Sequence, residues 1–370
     1  MRYNSNKETQ ISCLGDTTKN RGGGEMRALV KKEPRSGAIV LEEVPEPADP
    51  GPREVIIKVK RVSICGSDVH IYEWNKWAAS RIETPRIIGH EFTGEVVKIG
   101  SDVRLVKEGD IVVAESHIPC MTCYQCRIGK MHVCRNTKII GVDTDGAFAD
   151  YVKLPEVVLW KIDPSIPAEY ASVMEPLGNA IHTASVANLS GKSVLITGVG
   201  PIGAMAIAVT KASGSAPIIA AEIKPYRIEM AKKIGADYVI NPAEQDLVQE
   251  VMKITDGNGV DVLLEMSGNP KALVDGMKAV TNGGKVSVLG VYDGNIEFDM
   301  NLAVFKALTV YGITGREMFK TWHIATQMLK YKQLDLSSVV THVLDFEEWE
   351  EGMKMMQNGN CGKIVLKVND

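Results

Sequence analysis

One short tract, residues 193–208, limits the folds open to this chain: Ser-Val-Leu-Ile-Thr-Gly-Val-Gly-Pro-Ile-Gly-Ala-Met-Ala-Ile-Ala. An apolar run ends at Gly198 and a helical apolar pattern follows Gly203, so the tract predicts a strand, a tight turn and a helix. Gly198 and Gly200 allow a sharp turn and close approach of a ligand, and Gly203 allows the helix to pack against the strand. The start of such a helix offers unpaired N–H groups and a positive dipole end, which favour a pyrophosphate.

An acidic residue strengthens this interpretation, because a glycine pattern alone is weak. Residues 217–222 predict the next strand, and it ends at Glu222, about 20 residues past the glycines, where a dinucleotide fold has a carboxylate on the adenosine ribose. Glu222 repels a 2′-phosphate, which favours NAD over NADP. Lys224 and Arg227 follow closely and weaken that argument, since a nearby Arg accommodates the phosphate.

Length and composition exclude several classes of protein. The 370 residues suffice for two domains with a sizeable core. A formal net charge of −4 gives no reason to expect a nucleic acid or an anionic membrane as a partner. The apolar tract around Gly200 is about long enough for a marginal membrane span, but its central Pro201 and glycines and the flanking Lys192 and Lys211 argue against one. Residues 1–25 lack the apolar segment of a secretory signal, so we expect a cytoplasmic protein.

The pattern of the chain changes at identifiable points. Residues 1–25 lack apolar periodicity and are predicted to be a disordered leader. In residues 26–178, short β-type runs alternate with Gly and Pro, which predicts a compact, largely antiparallel domain. In residues 179–315, strand candidates alternate with helical segments, which predicts a doubly wound parallel sheet. Residues 316–370 predict one or two helices and a final strand that rejoins the first domain.

Four of the seven cysteines crowd into one short loop with the spacing C-x2-C-x2-C-x7-C: Cys120, Cys123, Cys126 and Cys134. In a cytosolic chain such crowding favours a metal site over disulfides. Four thiolates can close a tetrahedral zinc site, which then has no open position, so it holds a loop and performs no chemistry. His132 competes as a ligand, but the cysteines already fill four places.

A second candidate metal site is dispersed along the sequence. Cys65 lies in Ser-Ile-Cys-Gly-Ser-Asp-Val-His, and His90 and Glu91 lie in Ile-Gly-His-Glu-Phe. Both fragments follow apolar runs and adjoin glycines, so both are expected at strand ends that face one cleft. A mixed Cys, His and carboxylate set with one open position is typical of a catalytic zinc. Glu175, at the junction of the two domain patterns, is a further candidate carboxylate.

Together these features resemble the zinc-dependent medium-chain alcohol dehydrogenase superfamily over residues 26–370. Three tracts look like the L-threonine 3-dehydrogenase family within it: Ile-Tyr-Glu-Trp-Asn-Lys-Trp at 71–77, Gly-Val-Asp-Thr-Asp-Gly at 141–146 and Tyr-Gly-Ile-Thr-Gly-Arg-Glu-Met-Phe-Lys-Thr-Trp at 311–322. The resemblance implies a GroES-like catalytic domain interrupted by a Rossmann domain, with the active site between them, and a homotetramer. It also implies NAD, two zinc ions per subunit, and oxidation of the 3-hydroxyl of L-threonine to 2-amino-3-oxobutanoate.

Carried over position by position, the resemblance assigns roles to individual residues. It implies that Cys65, His90 and Glu91 form the catalytic zinc set and that the four clustered cysteines form the structural one. Ser67 and His70 would form a proton relay, and Glu175 would lie beside the metal, although whether Glu91 or Glu175 binds it directly stays open. The family commonly has Thr where this chain has Ser67; both carry a hydroxyl, so we expect the relay to survive. The implied cofactor contacts are Gly198, Gly200, Ile202, Gly203, Glu222 and Arg227, with Leu289, Gly290, Val291, Ile313 and Thr314 near the nicotinamide.

Three alternatives remain open at this point. The nearest is another zinc dehydrogenase of this architecture that acts on a polyol or a vicinal diol. A zinc-ribbon module that binds nucleic acid is disfavoured by the acidic net charge and by the lack of a basic stripe around the cysteine loop. A zinc-free reductase is disfavoured by the Cys65 and His90-Glu91 set. The isolated residues His117, His182, His323, His342, Cys13 and Cys361 are interpreted as structural or incidental.

Overall fold

A computed structural model describes residues 23–370. Most of the predicted leader, together with Cys13, lies outside the described residues, and Glu25 begins the first strand. Among the described residues, no helix is both long and apolar enough to cross a membrane.

The elements up to residue 184 are β1 (Glu25–Lys31), β2 (Ile39–Pro45), β3 (Glu54–Ser63), α1 (Gly66–Glu73), α2 (Lys76–Arg81), β4 (Arg86–Ile87), β5 (Phe92–Ile99), β6 (Ile111–Ala114), β7 (His117–Ile118), α3 (Tyr124–Arg127), β8 (Lys138–Ile139), β9 (Tyr151–Pro155), β10 (Leu159–Lys161), α4 (Ala168–Ser172) and α5 (Met174–Ala184). The next elements are β11 (Val194–Thr197), α6 (Pro201–Ala212), β12 (Ile218–Ala221), α7 (Pro225–Ile234), β13 (Tyr238–Ile240), α8 (Leu247–Ile254), β14 (Val260–Glu265), α9 (Pro270–Ala279), β15 (Val280–Val288), α10 (Asn301–Phe305) and β16 (Thr309–Gly312). The chain ends with α11 (Lys320–Lys330), β17 (Val340–Asp345), α12 (Trp349–Asn358) and β18 (Lys363–Lys367).

The elements from β11 to β16 form a parallel sheet in the order β13-β12-β11-β14-β15-β16. Every residue of β11 and β12 is buried, as expected for strands covered by helices on both faces. The strand order reverses between β11 and β14, and ligands of open α/β sheets bind in the crevice at the carboxyl ends of such strands. The predicted doubly wound α/β class is therefore confirmed.

A second sheet, mostly antiparallel, has the order β10-β6-β5-β3-β18-β17, with β9 also paired to β3. Strand β18 pairs antiparallel with β3, with Leu366 opposite Val62, so the C-terminal strand joins the sheet of the first region. The parallel unit thus interrupts a β-rich unit, as the sequence predicts.

Strand β15 runs from Val280 to Val288. Gly283 and Gly284 resemble a turn in the sequence, and Gly283 does adopt a positive φ of 75°. The strand nevertheless pairs with β14 on both sides of this point, with a register shift between Val260 and Val262. Glycine here marks an irregularity within a strand.

Candidate active site and metal centres

The pairing of β3 with β5 brings the dispersed metal candidates together. These strands are antiparallel, with Val62 opposite Phe92, so the end of β3 adjoins the start of β5. Cys65 follows β3, and His90 and Glu91 precede β5. The ligand atoms of these three residues all lie within 4.8 Å of one another. Because His90 and Glu91 are buried while Cys65 is only partly so, the cluster forms at the edge of the protein interior.

Glu91 has one occupied and one free carboxylate oxygen. Its Oε2 accepts hydrogen bonds from Lys363 Nζ and Ser63 Oγ. Lys363 Nζ also donates to the Ile64 carbonyl at 2.7 Å, beside Cys65. Burial lowers the pKa of Lys363, but the charges of Glu91, Cys65 and Asp68 and the hydrogen bond to Glu91 together raise it above its usual value. Glu91 Oε1 is buried without a hydrogen-bond partner among the described residues, which is costly unless it binds a cation.

Anionic groups surround His90. Its Nδ1 lies 4.0 Å from Asp68 Oδ1, and neither atom has a hydrogen-bond partner in the described part of the chain. Burial lowers the pKa of His90, but the hydrogen bond and charge of Cys65 and the charges of Asp68 and Glu175 raise it to about 10. Burial has the opposite effect on the neighbouring carboxyl group, and it raises the pKa of Asp68 to about 6. This environment favours a cation here, either a proton on His90 or a metal ion, and the Cys, His and Glu donors suit zinc.

Glu175 lies on α5 beside this cluster and is already engaged by other residues. Its Oε1 accepts from Ser116 Oγ at 2.7 Å and lies 2.7 Å from Arg316 Nη1. Burial raises the pKa of Glu175, but the charges of Arg316 and His90 bring it below its usual value. Glu175 is not among the three residues whose ligand atoms converge.

Sequence reasoning missed a buried network around Arg316, which is almost fully buried itself. Arg316 Nε donates to Glu115 Oε2 at 3.0 Å, and Arg316 Nη1 donates to Asn179 Oδ1 at 3.0 Å. Its charge brings the pKa of Glu115 far below the usual range despite burial. His117, interpreted above as structural, has its Nδ1 2.8 Å from Arg316 Nη2. The one sign of this network in the sequence was that Arg316 lies within the tract 311–322, which resembles the L-threonine 3-dehydrogenase family.

Ser67 and His70 lie three residues apart on α1, and residues at this spacing share a helix face. Ser67 Oγ lies 3.5 Å from His90 Nε2, and His70 is exposed. Ser67 therefore lies beside the cluster, and His70 lies on the same helix face towards solvent.

The four cysteines of the loop also converge, with all their sulfur atoms within 4.8 Å of one another. Cys123 Sγ lies 3.6 Å from Cys126 Sγ and 3.8 Å from Cys134 Sγ, and all four are free thiols. Backbone N–H groups point at the sulfurs: the N–H of Cys120 donates to Cys134 Sγ at 3.3 Å, and that of Cys123 donates to Cys120 Sγ at 3.4 Å. Hydrogen bonds from Thr122 and Cys123 lower the pKa of Cys120 to about 5. Such a thiolate set fits a tetrahedral zinc ion.

His132, the competing ligand, lies outside this group. Its ring packs edge-on against that of His182, with the ring centroids 5.6 Å apart. His182 Nδ1 in turn lies 2.9 Å from the carbonyl oxygen of Gly315.

A cavity of about 420 Å³ lies at the carboxyl ends of β11 and β12. Of the predicted cofactor residues it is lined by Gly198, Gly200, Glu222 and Arg227. A Cβ at Gly203 would lie 2.0 Å from the Gly198 carbonyl oxygen, so that glycine serves packing. A Cβ at Gly200 would meet only Arg227 Nη1, at 3.9 Å. Within residues 23–370, no protein atom therefore requires glycine at position 200, and its lack of a Cβ leaves room for close approach of a ligand.

Glu222 is fixed at the edge of this cavity. Its Oε2 accepts from the Val199 N–H at 2.8 Å, and its Oε1 accepts from the N–H groups of Ile223 at 2.8 Å and Lys224 at 3.0 Å. The carboxylate thus bridges the turn after β11 and the turn after β12, and it presents a negative charge beside Gly198 and Gly200.

The other predicted cofactor residues do not line the cavity. Ile202 lies in the first turn of α6. Leu289, Gly290 and Val291 follow β15, and Val291 is 92% exposed. Ile313 and Thr314 follow β16, and the Ile313 N–H donates to the Val288 carbonyl at 2.9 Å. These residues extend the same carboxyl edge of the parallel sheet away from the cavity.

Comparison with known proteins identifies the family. Residues 51–164 match the alcohol dehydrogenase GroES-like domain, and residues 201–331 match the zinc-binding dehydrogenase family. The chain is 54% identical to the L-threonine 3-dehydrogenase of Pyrococcus horikoshii, over 93% of this chain and 99% of that protein. It is 50% identical to the L-threonine 3-dehydrogenase of Caldanaerobacter subterraneus subsp. tengcongensis, with the same coverage of 93% and 99%.

Solved structures of alcohol and diol dehydrogenases share the fold of this chain at lower sequence identity. An alcohol dehydrogenase from Thermus sp. ATN1 matches with a TM-score of 0.85 at 29% identity, over 93% of this chain and 100% of that one. The 2R,3R-butanediol dehydrogenase from Bacillus subtilis matches with a TM-score of 0.83 at 29% identity, again over 93% and 100%. The chain therefore belongs to the zinc-dependent medium-chain alcohol dehydrogenase superfamily and, within it, to the L-threonine 3-dehydrogenase family.

Proposed function

We propose that this protein oxidises the 3-hydroxyl of L-threonine to 2-amino-3-oxobutanoate with transfer of hydride to NAD⁺, which yields NADH and one proton. One observation carries the proposal: a Cys, His and Glu cluster, in which the His and the Glu are buried, occurs with a dinucleotide-type cavity in a chain about half identical to L-threonine 3-dehydrogenases over nearly its full length.

We propose that Cys65, His90 and Glu91 hold a catalytic zinc ion. The free Oε1 of Glu91 supports direct ligation by this residue, and the engagement of Glu175 with Ser116 and Arg316 supports a place beside the metal. When bound, zinc supplies a Lewis acid that favours ionisation of the alcohol, and NAD⁺ supplies the hydride acceptor.

In this proposal the protein's own residues orient the substrate and move its proton. Ser67 accepts the proton of the substrate hydroxyl and His70 passes it to solvent, which fits their shared helix face and the exposure of His70. An imidazole can both accept and donate a proton, which suits this role. The burial of His90 and Glu91 keeps water from the ligand side of the cluster.

A second zinc ion in the loop of Cys120, Cys123, Cys126 and Cys134 completes the proposed metal content of two per subunit. Four thiolates fill its coordination, so its role is structural. We propose that the catalytic domain comprises residues 26–178 and 316–370 and that the NAD-binding domain comprises residues 179–315.

We propose that the cofactor is NAD rather than NADP, because the fixed carboxylate of Glu222 repels a 2′-phosphate. The adenosine half occupies the cavity beside Gly198, Gly200 and Arg227. The nicotinamide half extends along the sheet edge to the segments that follow β15 and β16, residues 289–291 and 313–314.

A homotetramer and a cytoplasmic location complete the proposal. Self-association is supported by β16, which ends the order of the parallel sheet, and by exposed apolar side chains close to it, of which Phe305 is 83% exposed and Met300 is 63% exposed. The free thiols among the described cysteines support a reducing compartment.

The substrate is tested by assaying L-threonine, sorbitol and 2,3-butanediol, each with NAD⁺ and with NADP⁺. We expect the highest kcat/KM with L-threonine and NAD⁺. A higher value with sorbitol or butanediol would favour the alternative of a polyol or diol dehydrogenase, for which the likeness to the butanediol enzyme, at 29% identity, is the weaker argument.

A further inference from the structure

Glu265, the last residue of β14, is a fully buried carboxylate that the proposed reaction does not use. Its Oε1 accepts from the Ser267 N–H at 2.8 Å, the Gly268 N–H at 3.2 Å and Thr197 Oγ1 at 3.4 Å, and also from Ser267 Oγ. Its Oε2 accepts from Tyr292 Oη at 2.6 Å. These donors are all neutral, so a buried negative charge is stabilised by hydrogen bonds alone.

The donors come from three segments at the carboxyl edge of the parallel sheet. Thr197 ends β11, Ser267 and Gly268 form the turn between β14 and α9, and Tyr292 lies in the loop after β15. The main-chain oxygen of Glu265 adds to this, because it accepts from the N–H groups of Leu289 at 2.9 Å and Gly290 at 3.2 Å. One residue therefore joins all three segments.

Close backbone approaches show how tightly these segments pack around Glu265. A Cβ at Gly198 would lie 2.8 Å from Ser267 Cα, and a Cβ at Gly290 would lie 2.3 Å from Glu265 Oε2. Gly268 has a φ of 64°, and a Cβ there would lie 2.4 Å from the Val291 carbonyl oxygen. Since no side chain separates the segments, a shift of one changes the position of the others.

The same segments form the proposed cofactor site. Thr197, Gly198, Ser267 and Asn269 line the cavity, and the crevice at which the strand order reverses lies between β11 and β14. We propose that Glu265 is a positioning residue of the cofactor site, which holds the three segments at the spacing that a dinucleotide requires, and that Tyr292 carries this effect to the loop after β15. This inference rests on the proposed function.

The first test is Tyr292→Phe, with Tyr238→Phe as the matched control. Tyr292 is only half-buried, so loss of its hydroxyl removes one hydrogen bond to Glu265 without a large cavity. Tyr238 is an exposed tyrosine on β13 of the same sheet. We expect the Kd for NADH and the KM for NAD⁺ to rise by about tenfold in Tyr292→Phe, because a hydrogen bond to a charged group is among the stronger ones. We expect the KM for L-threonine to stay unchanged, and Tyr238→Phe to match the wild type.

The second variant, Glu265→Gln, keeps the side-chain volume and removes the charge that all the donors share. We expect it to weaken NADH binding more than Tyr292→Phe does. A lowered Tm in both variants with an unchanged Kd for NADH would overturn the inference, because it would assign Glu265 to stability alone.

NADH binding, read by fluorescence transfer from tryptophan without threonine, separates this inference from the proposed substrate. One possible result is that the wild type binds NADH and oxidises a different alcohol, while both variants bind NADH more weakly. In that case only the substrate assignment is wrong. If the wild-type chain binds no NADH, both proposals are wrong.

Discussion

The four thiols of the cysteine cluster all come from one loop. The cluster of Cys65, His90 and Glu91 instead forms at the ends of two strands, and its Glu91 is hydrogen-bonded by a lysine from a third strand. In the loop, backbone N–H groups point at sulfur, and the spacing within the loop sets the geometry. At Cys65, His90 and Glu91, strand pairing sets the geometry, and His90 Nδ1, Glu91 Oε1 and the nearby Asp68 Oδ1 are buried without a hydrogen-bond partner among the described residues. Local spacing thus suffices for the cluster that we propose to be structural, whereas the cluster that we propose to be catalytic depends on long-range packing.

The largest expected effect comes from Cys65→Ala, which removes a ligand from the long-range cluster. We expect turnover of L-threonine to fall by at least about 10³-fold, on the scale of losing an essential catalytic group, and Tm to change little. Zinc analysis should show one ion fewer per chain. Activity near that of the wild type would contradict the assignment of the catalytic site.

Lys363→Met tests whether long-range packing supports that cluster. The variant leaves the carboxylate of Glu91 buried without its cationic partner, so we expect the free energy of unfolding to fall by about 3 to 5 kcal/mol. Lys367→Met is the matched control, because Lys367 lies on the same strand but is exposed, with its Nζ 3.6 Å from Asp345. Urea unfolding should separate the two variants clearly, and equal losses would contradict the role given to Lys363.

Cys123→Ala tests the loop cluster. We expect loss of one zinc ion per chain and a fall in Tm of roughly 5 to 10 °C, with a smaller effect on turnover by the molecules that remain folded. Tyr124→Ala, an exposed change in the same loop, should leave Tm near the wild-type value. If Cys123→Ala abolished turnover while Tm stayed unchanged, the two clusters would have exchanged roles.

We expect the smallest effect on stability from Arg81→Gln, which removes an ion pair that belongs to neither cluster. Arg81 Nε and Nη2 donate to Asp143 Oδ1 at 3.1 Å and Oδ2 at 2.7 Å. Burial raises the pKa of Asp143, but the hydrogen bonds from Arg81 and the Ile139 N–H and the charges of Arg81 and Arg86 together lower it more, so the net shift is downwards. After allowance for solvent screening, we expect a stability loss of about 0.5 kcal/mol at pH 7.

The direction of this shift fixes the pH dependence. A depressed folded pKa contributes stability above the unfolded value of about 3.9 and loses it as the pH falls through the folded value. Urea unfolding of the wild type and of Arg81→Gln should therefore converge as the pH falls through the folded pKa of Asp143, which lies below the unfolded value of about 3.9. A difference that is constant with pH would assign the effect of Arg81 to packing.

Sequence patterns predict those parts of the molecule in which neighbours in the chain are neighbours in space. The glycine turn at residues 198–203 and the alternation of strands and helices give the parallel sheet, and the cysteine spacing gives the loop cluster. The convergence of Cys65 with His90 and Glu91 depends on how β3 pairs with β5. The sequence predicts that both fragments lie at strand ends facing one cleft, and the family resemblance implies that they form one metal set.

The supporting residues escape prediction for the same reason. Lys363 and Glu91 are 272 positions apart, and Arg316 and Glu115 are 201 positions apart. No periodicity links residues at such distances, and a lysine or arginine in a local pattern gives no sign that it will be buried against a carboxylate. Burial of charge in pairs is decided by tertiary packing, which a local window of sequence does not contain.

X-ray diffraction at the zinc absorption edge, on crystals of the purified protein with NAD⁺, tests the proposed catalytic zinc most directly. We expect two anomalous peaks per chain, one within the four-cysteine loop and one between Cys65, His90 and Glu91. A single peak in the cysteine loop, with no metal at Cys65 in a protein that oxidises L-threonine, would show that Cys65, His90 and Glu91 do not form a catalytic zinc site.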